Sequence, residues 1–260
     1  MADIYTKCHQ VVIWLGKNEP WYEELCEELF KKARPPRQIL DDRTSYLLMS
    51  LNKRPWFGRI WTLQEACLGC LGKTFDSKDR DPIIWSGDYH VGMRDLHDLS
   101  YSLHKAHPVI LVFLRGRTSL GFYRPLLDDR KTTQSVAHFL LQVLLSFPGR
   151  KATNPLDYLY GLIGLAGEDL GKELPESLRP NYELKAEEVY RAYATHLLTK
   201  TQNLGLLNFS KSELKDVPSW VTDFRHLQVS GPIDKMPIAD LRINGDVLFV
   251  KGLEIGTWAS

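Results

Sequence analysis

The chain has 260 residues, 43% hydrophobic and 25% charged, enough to bury the core of one large domain or one and a half. Its 33 Lys and Arg against 32 Asp and Glu leave a net charge of +1, without the one-signed excess of a nucleic-acid or membrane-surface binder. No apolar run nears the roughly 20 residues that span a bilayer, and MADIYTKCHQ lacks a signal peptide's apolar core, so a cytoplasmic protein with no membrane partner is expected.

In chain order, Ile4 to His9 reads as the end of a helix, and Gln10 to Gly16 (QVVIWLG) as a buried strand of β-branched and aromatic residues closed by glycine. Pro20 suits a first helical turn, which predicts a helix over Trp21 to Lys32 with Leu25, Leu29 and Phe30 inward. DDRTSYLLMSLNK supplies a second short helix, and residues 18 to 53 read as an insertion between the strand and a central helix. The DDR runs at 41 to 43 and 128 to 130 read as solvated turns.

That central helix follows RPWFGRIWTLQEACLGCL, Arg54 to Leu71. Pro55 fixes one backbone angle and Gly58 permits a tight approach, placing the helix start near Arg59. Ile60, Leu63 and Cys67 then form a buried stripe, with Trp61, Glu65 and Leu68 on a neighbouring face. Trp61 and Trp14 read as core residues, whereas Trp21 and Trp56 fit core or interface equally.

Further on, residues 83 to 85 (IIW) form a short extended piece, and Met93 to Lys105 a helix with Leu96, Leu99 and Leu103 on one face. VILVFL at 109 to 114 fits a strand or a core helix equally. Two core helices follow: Thr132 to Phe147, with Val136, Phe139, Leu140, Val143 and Leu144 inside, and one opened by Asn154-Pro155 with Leu156, Leu159, Tyr160 and Ile163 as its stripe. A connector at Glu173 to Tyr182 leads to a helix over Ala186 to Thr201, whose Val189, Ala192, Tyr193, His196 and Leu197 face one way. ADLRINGDVLFVKG alternates around Asn244-Gly245-Asp246 as a β-hairpin, and Gly252 leads to a third strand.

Standard chemical motifs are missing: there is no GxSxG, HExxH, Walker loop or GxGxxG. Cys67 and Cys70 make a CxxC late in a helix, away from the N-terminal dipole that activates redox pairs, so Cys8, Cys26, Cys67 and Cys70 read as ordinary buried thiols. His90, His97, His104 and His107 lack the convergence of a metal site.

Three blocks together, IYTKCHQVVIWLG, RPWFGRIWTLQEACLG and NPLDYLYGLIGLAG, resemble the fungal heterokaryon-incompatibility (HET) domain. PNYELKAEEVYRAYATHLL and PSWVTDF resemble the region that follows it. The family's opening strands have no counterpart, so the chain is expected to begin midway through the domain. The resemblance implies a partial HET domain over residues 1 to 170 and a C-terminal helical and β-containing extension over 171 to 260. It implies an α/β fold, a partial TIR-like or flavodoxin-like parallel sheet with many helices plus a β-hairpin region. The implied role is fungal nonself recognition and cell-death signalling, through a protein partner or self-association.

The order helix, VVIWLG strand, then W-T-L-Q-E on a helix is also similar to the Toll/interleukin-1 receptor (TIR) domain. By that resemblance Glu65 would stabilise an oxocarbenium-like ribose as NAD, a substrate rather than a required cofactor, loses nicotinamide. Trp61 would shape the pocket, and Arg59 would hold a phosphate or keep the carboxylate ionised. Two other readings stay open: Glu65 pairing with Arg54 or Arg59 at the surface, and a truncated chain that is an inactive fragment or interaction module without catalysis.

Overall fold

The structure, a computed structural model, describes residues 2–17, 19–31, 42–69, 81–96, 98, 135–208, 213–227 and 240–251. Expectations for 99 to 134, for Gly252 onward and for His97, His104, His107 and Cys70 lie outside these. The fold is mixed α/β, with helices around small sheets.

Helix α1 (Ala2–Lys7) leads into strand β1 (Val12–Trp14). Helices α2 (Pro20–Lys31) and α3 (Asp42–Asn52), a 3-10 turn (Pro55–Gly58) and helix α4 (Thr62–Gly69) intervene before β2 (Ile83–Ser86), which pairs parallel with β1, Ile13 beside Ile84. A parallel pair needs such a long crossover. β3 (Tyr89–Gly92) returns antiparallel to β2, giving the order β1-β2-β3. Ile13, Ile84 and Val91 project from one face into the core, where the Tyr22 hydroxyl of α2 donates to the Ile84 carbonyl at 3.0 Å.

Helices α2 and α3 lie between β1 and α4, where the insertion is expected, and Tyr22, Leu25 and Cys26 of α2 and Leu47, Leu48 and Leu51 of α3 are buried in the core. Two expectations are corrected here. The strand is half buried: Val12 and Trp14 point away from the helices and stand 51% and 59% exposed, so Trp14 is not a core residue. Asp42 and Arg43 open α3 instead of forming a turn, and Arg43 pairs with Glu24 of α2.

Helix α5 (Val136–Ser146) is capped by Ser135, whose hydroxyl accepts from the His138 N–H, and its five expected core residues are buried. In α6 (Asp157–Ile163) the stripe is buried through Tyr160, with Ile163 partly so; Gly167, at φ +73°, turns the chain into a short helix α7 (Gly167–Lys172). Helix α8 (Ala186–Thr201) has the bounds read from the sequence, burying Val189, Tyr193 and Leu197 and also Tyr190, Ala194 and Leu198. Strands β4 (Leu241–Asn244) and β5 (Val247–Val250) form the expected hairpin, held to α8 by the Arg191–Asp246 ion pair.

Candidate functional site

Seven residues of α4 are buried and one, Glu65, is partly exposed. The helix is therefore an interior element that delivers a single carboxylate to the surface. Its packing demands small residues: a Cβ on Gly69 would lie 2.6 Å from the Val11 side chain beside β1, and one on Gly164 would lie 2.7 Å from Gln64 Oε1. Gln64 is buried and donates from Nε2 to the Gly161 carbonyl at 2.9 Å, which locks α4 to α6. The WTLQE and YGLIG blocks thus meet in space.

Long-range bonding sets where α4 begins. Arg59 bridges to Lys151 in extended conformation, the Ile60 N–H donates to the Lys151 carbonyl at 3.0 Å, and the Lys151 N–H donates to the Gly58 carbonyl at 2.7 Å. Thr62 then closes the turn, its hydroxyl 2.7 Å from the Arg59 carbonyl and 3.0 Å from the Trp56 carbonyl. The buried Arg150 guanidinium donates to the same Arg59 carbonyl at 2.8 Å. The helix accordingly starts at Thr62, three residues later than expected, and Trp61 precedes it.

That shift changes which aromatic meets the acid. Trp61 lies against α6, its ring 3.7 Å from where a Gly161 Cβ would sit, while the Trp56 indole N–H donates to Glu65 Oε2 at 2.9 Å. On the other side stands the Tyr5 phenol of α1. Burial, then the Glu65 charge, raise it above its ordinary value, against the opposing charge of Arg59. Glu65 thus lies beside Trp56 and near Tyr5 and the half-buried Cys8 thiol, which donates to the Tyr5 carbonyl, with the Arg59 charge also felt at the Tyr5 phenol. Arg54 turns elsewhere, pairing with Glu19 at 2.8 Å over the Trp21 ring.

A carboxylate with the Trp56 indole as donor and about four lone-pair positions retains room for another partner. The arrangement suits a carboxylate that steadies a cation or holds a hydroxyl. Sequence reasoning missed Tyr5 because α1 and α4 meet only in the fold, and missed Arg150 because it acts through a backbone carbonyl. Among the described residues no His, Cys, Asp and Glu cluster suits a metal, and no helix is long and apolar enough to cross a membrane.

Residues 1–65 match the family described as Heterokaryon incompatibility protein (HET), a span that ends on Glu65 and contains the whole cluster. Heterokaryon incompatibility protein 6, OR allele, of Neurospora crassa is 25% identical over 299 residues, covering 86% of this chain and 41% of that protein. The chain thus spans less than half the length of that relative. No solved structure matches.

Proposed function

From the premise that residues 1–65 are heterokaryon-incompatibility (HET) family sequence, we propose that the chain acts in fungal nonself recognition and in the cell-death response that follows incompatible fusion. The observation that carries this reading is that the match includes Tyr5, Trp56, Arg59 and Glu65, the residues that converge at the surface of α4. The test is expression in one of two otherwise compatible fungal strains, scored for death of fused cells. Death that requires the intact chain and is lost in Glu65→Ala is expected. Fused cells that survive at full expression would remove the proposal.

The same constellation favours a second reading, NAD cleavage. The C–N bond between ribose and nicotinamide breaks, nicotinamide leaves with the electron pair, and a water oxygen bonds to the same ribose carbon and gives up a proton to solvent, leaving ADP-ribose. Glu65 would steady the positive ribose, with Trp56 fixing the carboxylate, Tyr5 near it and Arg59 facing a phosphate. This is where a TIR-like relation would enter, supported by a parallel β1–β2 pair beside α4. Nicotinamide release is measured by chromatography on the purified chain. Release abolished in Glu65→Gln, with an unchanged melting curve, is expected; release unaffected by that substitution excludes Glu65 as the group responsible.

A further inference from the structure

The turn from Trp56 to Thr62 decides whether the Trp56 indole meets the Glu65 carboxylate, because one stands at its start and the other a helical turn beyond its end. Inside it the Thr62 hydroxyl lies 3.0 Å from the Trp56 carbonyl and 2.7 Å from the Arg59 carbonyl. A hydroxyl has one proton, so Thr62 serves one of them at a time. Arg150 resolves the choice. Its Nη1 donates to the Arg59 carbonyl at 2.8 Å and to the Thr62 oxygen at 3.1 Å, which leaves the Thr62 proton for the Trp56 carbonyl. A single chain of contacts thus runs from Arg150 through Thr62 to Trp56 and on to Glu65.

Arg150 is held for this task from both sides. Gly149, in the left-handed region at φ +72°, donates its N–H to the Leu227 carbonyl at 3.1 Å, and Lys151 bridges to Arg59. Neighbours in extended backbone point opposite ways, so Lys151 is exposed while Arg150 is buried, its guanidinium 5.4 Å from the centre of the Phe147 ring. A buried guanidinium is costly unless its donors are used, and those of Nη1 go to the turn that carries Trp56.

We infer that Arg150 is the positioning residue of the Glu65 site, setting through the Arg59 carbonyl and the Thr62 hydroxyl where the Trp56 indole meets the carboxylate. Arg150 lies outside residues 1–65, so the later part of the chain completes a site that the matched segment begins. Its consequence for turnover rests on the NAD-cleavage reading of Glu65. Its hold on Trp56 does not.

The indole N–H signal of Trp56 in a nitrogen–proton correlation spectrum of the full chain, identified by its loss in Trp56→Phe, reads the contact directly. Glu65→Gln fixes where that signal lies when no carboxylate accepts from it. Arg150→Met keeps an unbranched apolar stem and deletes the donors. Thr62→Val keeps the shape, deletes the hydroxyl, and serves if the first variant unfolds. Both should move the Trp56 signal toward its Glu65→Gln position, while those of Trp85 and Trp220, whose indoles bond the Gly87 and Asp246 carbonyls, stay in place. In the nicotinamide assay both should lower kcat by about a hundredfold with KM unchanged, the loss that a displacement of roughly 1 Å can bring. A Trp56 signal unmoved in the folded variants overturns the positioning role, as does a shift of all the indole signals together, which marks a general loosening. An unchanged kcat in folded variants of an active parent overturns it too. A parent that releases no nicotinamide fails the NAD reading alone, and the Trp56 signal then decides the role of Arg150.

Discussion

At Glu65 the deciding feature is that one carboxylate takes the Trp56 indole hydrogen bond and sets its charge against the phenol of Tyr5, brought in from the far end of the chain. The Tyr5 phenol is raised above 10.0 by burial and then by the Glu65 charge. A folded-state value above the unfolded one means that ionisation opposes folding, so stability present below pH about 10 is lost as pH rises through the folded value. In strong alkali the parent's melting temperature should therefore fall by more than that of Tyr5→Phe, which has no phenol to ionise. In Glu65→Gln the tyrosinate absorbance of Tyr5, isolated by difference from Tyr5→Phe, should appear at lower pH. Asp223 gives the opposite sign. Burial alone would raise its carboxyl, but the Arg225 guanidinium at 2.6 and 2.8 Å outweighs that and holds it below the ordinary carboxylate value. Its stabilisation is present above pH about 4 and is lost as pH falls through the lowered value. Asp223 is fully buried while Arg225 is partly exposed, so Asp223→Asn should cost about 2 to 3 kcal/mol at neutral pH, read by urea unfolding, with the difference narrowing in acid.

Among the elements, the junction of α4 and α6 depends on Gln64 reaching over a glycine. Gly164→Ala would drive a methyl group to 2.7 Å from Gln64 Oε1, and overpacking at such a buried contact costs about 1 to 3 kcal/mol. Pairing it with Gln64→Ala should recover part of that loss, a coupling measurable by a double-mutant cycle in denaturant. The same contrast shows what was legible in the sequence. Helix α8 was readable because its signals are local: the Glu188 carboxylate accepts from the Lys185 N–H at 3.0 Å, and Gln202 ends the helix in the left-handed region at φ +54°. The hairpin turn and the glutamate presented by α4 were likewise carried by short stretches. The start of α4 was not, because Lys151, nearly a hundred residues away in the chain, holds Arg59 and Ile60 extended. Trp56 rather than Trp61 therefore meets Glu65. Nor was the exposed face of β1 readable, since a continuous apolar run looks the same whether helices cover one side or two.

For the whole molecule, the sheet and the later helices are tied at a few buried polar points. Arg150 reaches the Arg59 carbonyl and the Thr62 hydroxyl, at 2.8 and 3.1 Å, from the segment after α5. Beyond residue 170, Tyr193 donates to the Leu178 carbonyl, Tyr190 to the Pro155 carbonyl at 2.6 Å, and the Asn181 carbonyl accepts from Tyr160 at 3.2 Å. α8 lies along α5, both burying continuous apolar faces. Removing everything after residue 170 would strip the cover from α5 and leave the Tyr160 hydroxyl without its acceptor. Burying a leucine-sized side chain is worth about 1.5 to 3 kcal/mol, and several would be uncovered at once, against a total stability of about 5 to 15 kcal/mol for a domain. A chain of residues 1–170 should therefore lose its cooperative thermal transition and its near-ultraviolet circular dichroism, bind a hydrophobic dye, and keep much of its helical signal. A sigmoidal melt from that shorter chain, near the parent's midpoint, would mean that α8 is an appended layer and that the site around Glu65 is held by the first 170 residues alone.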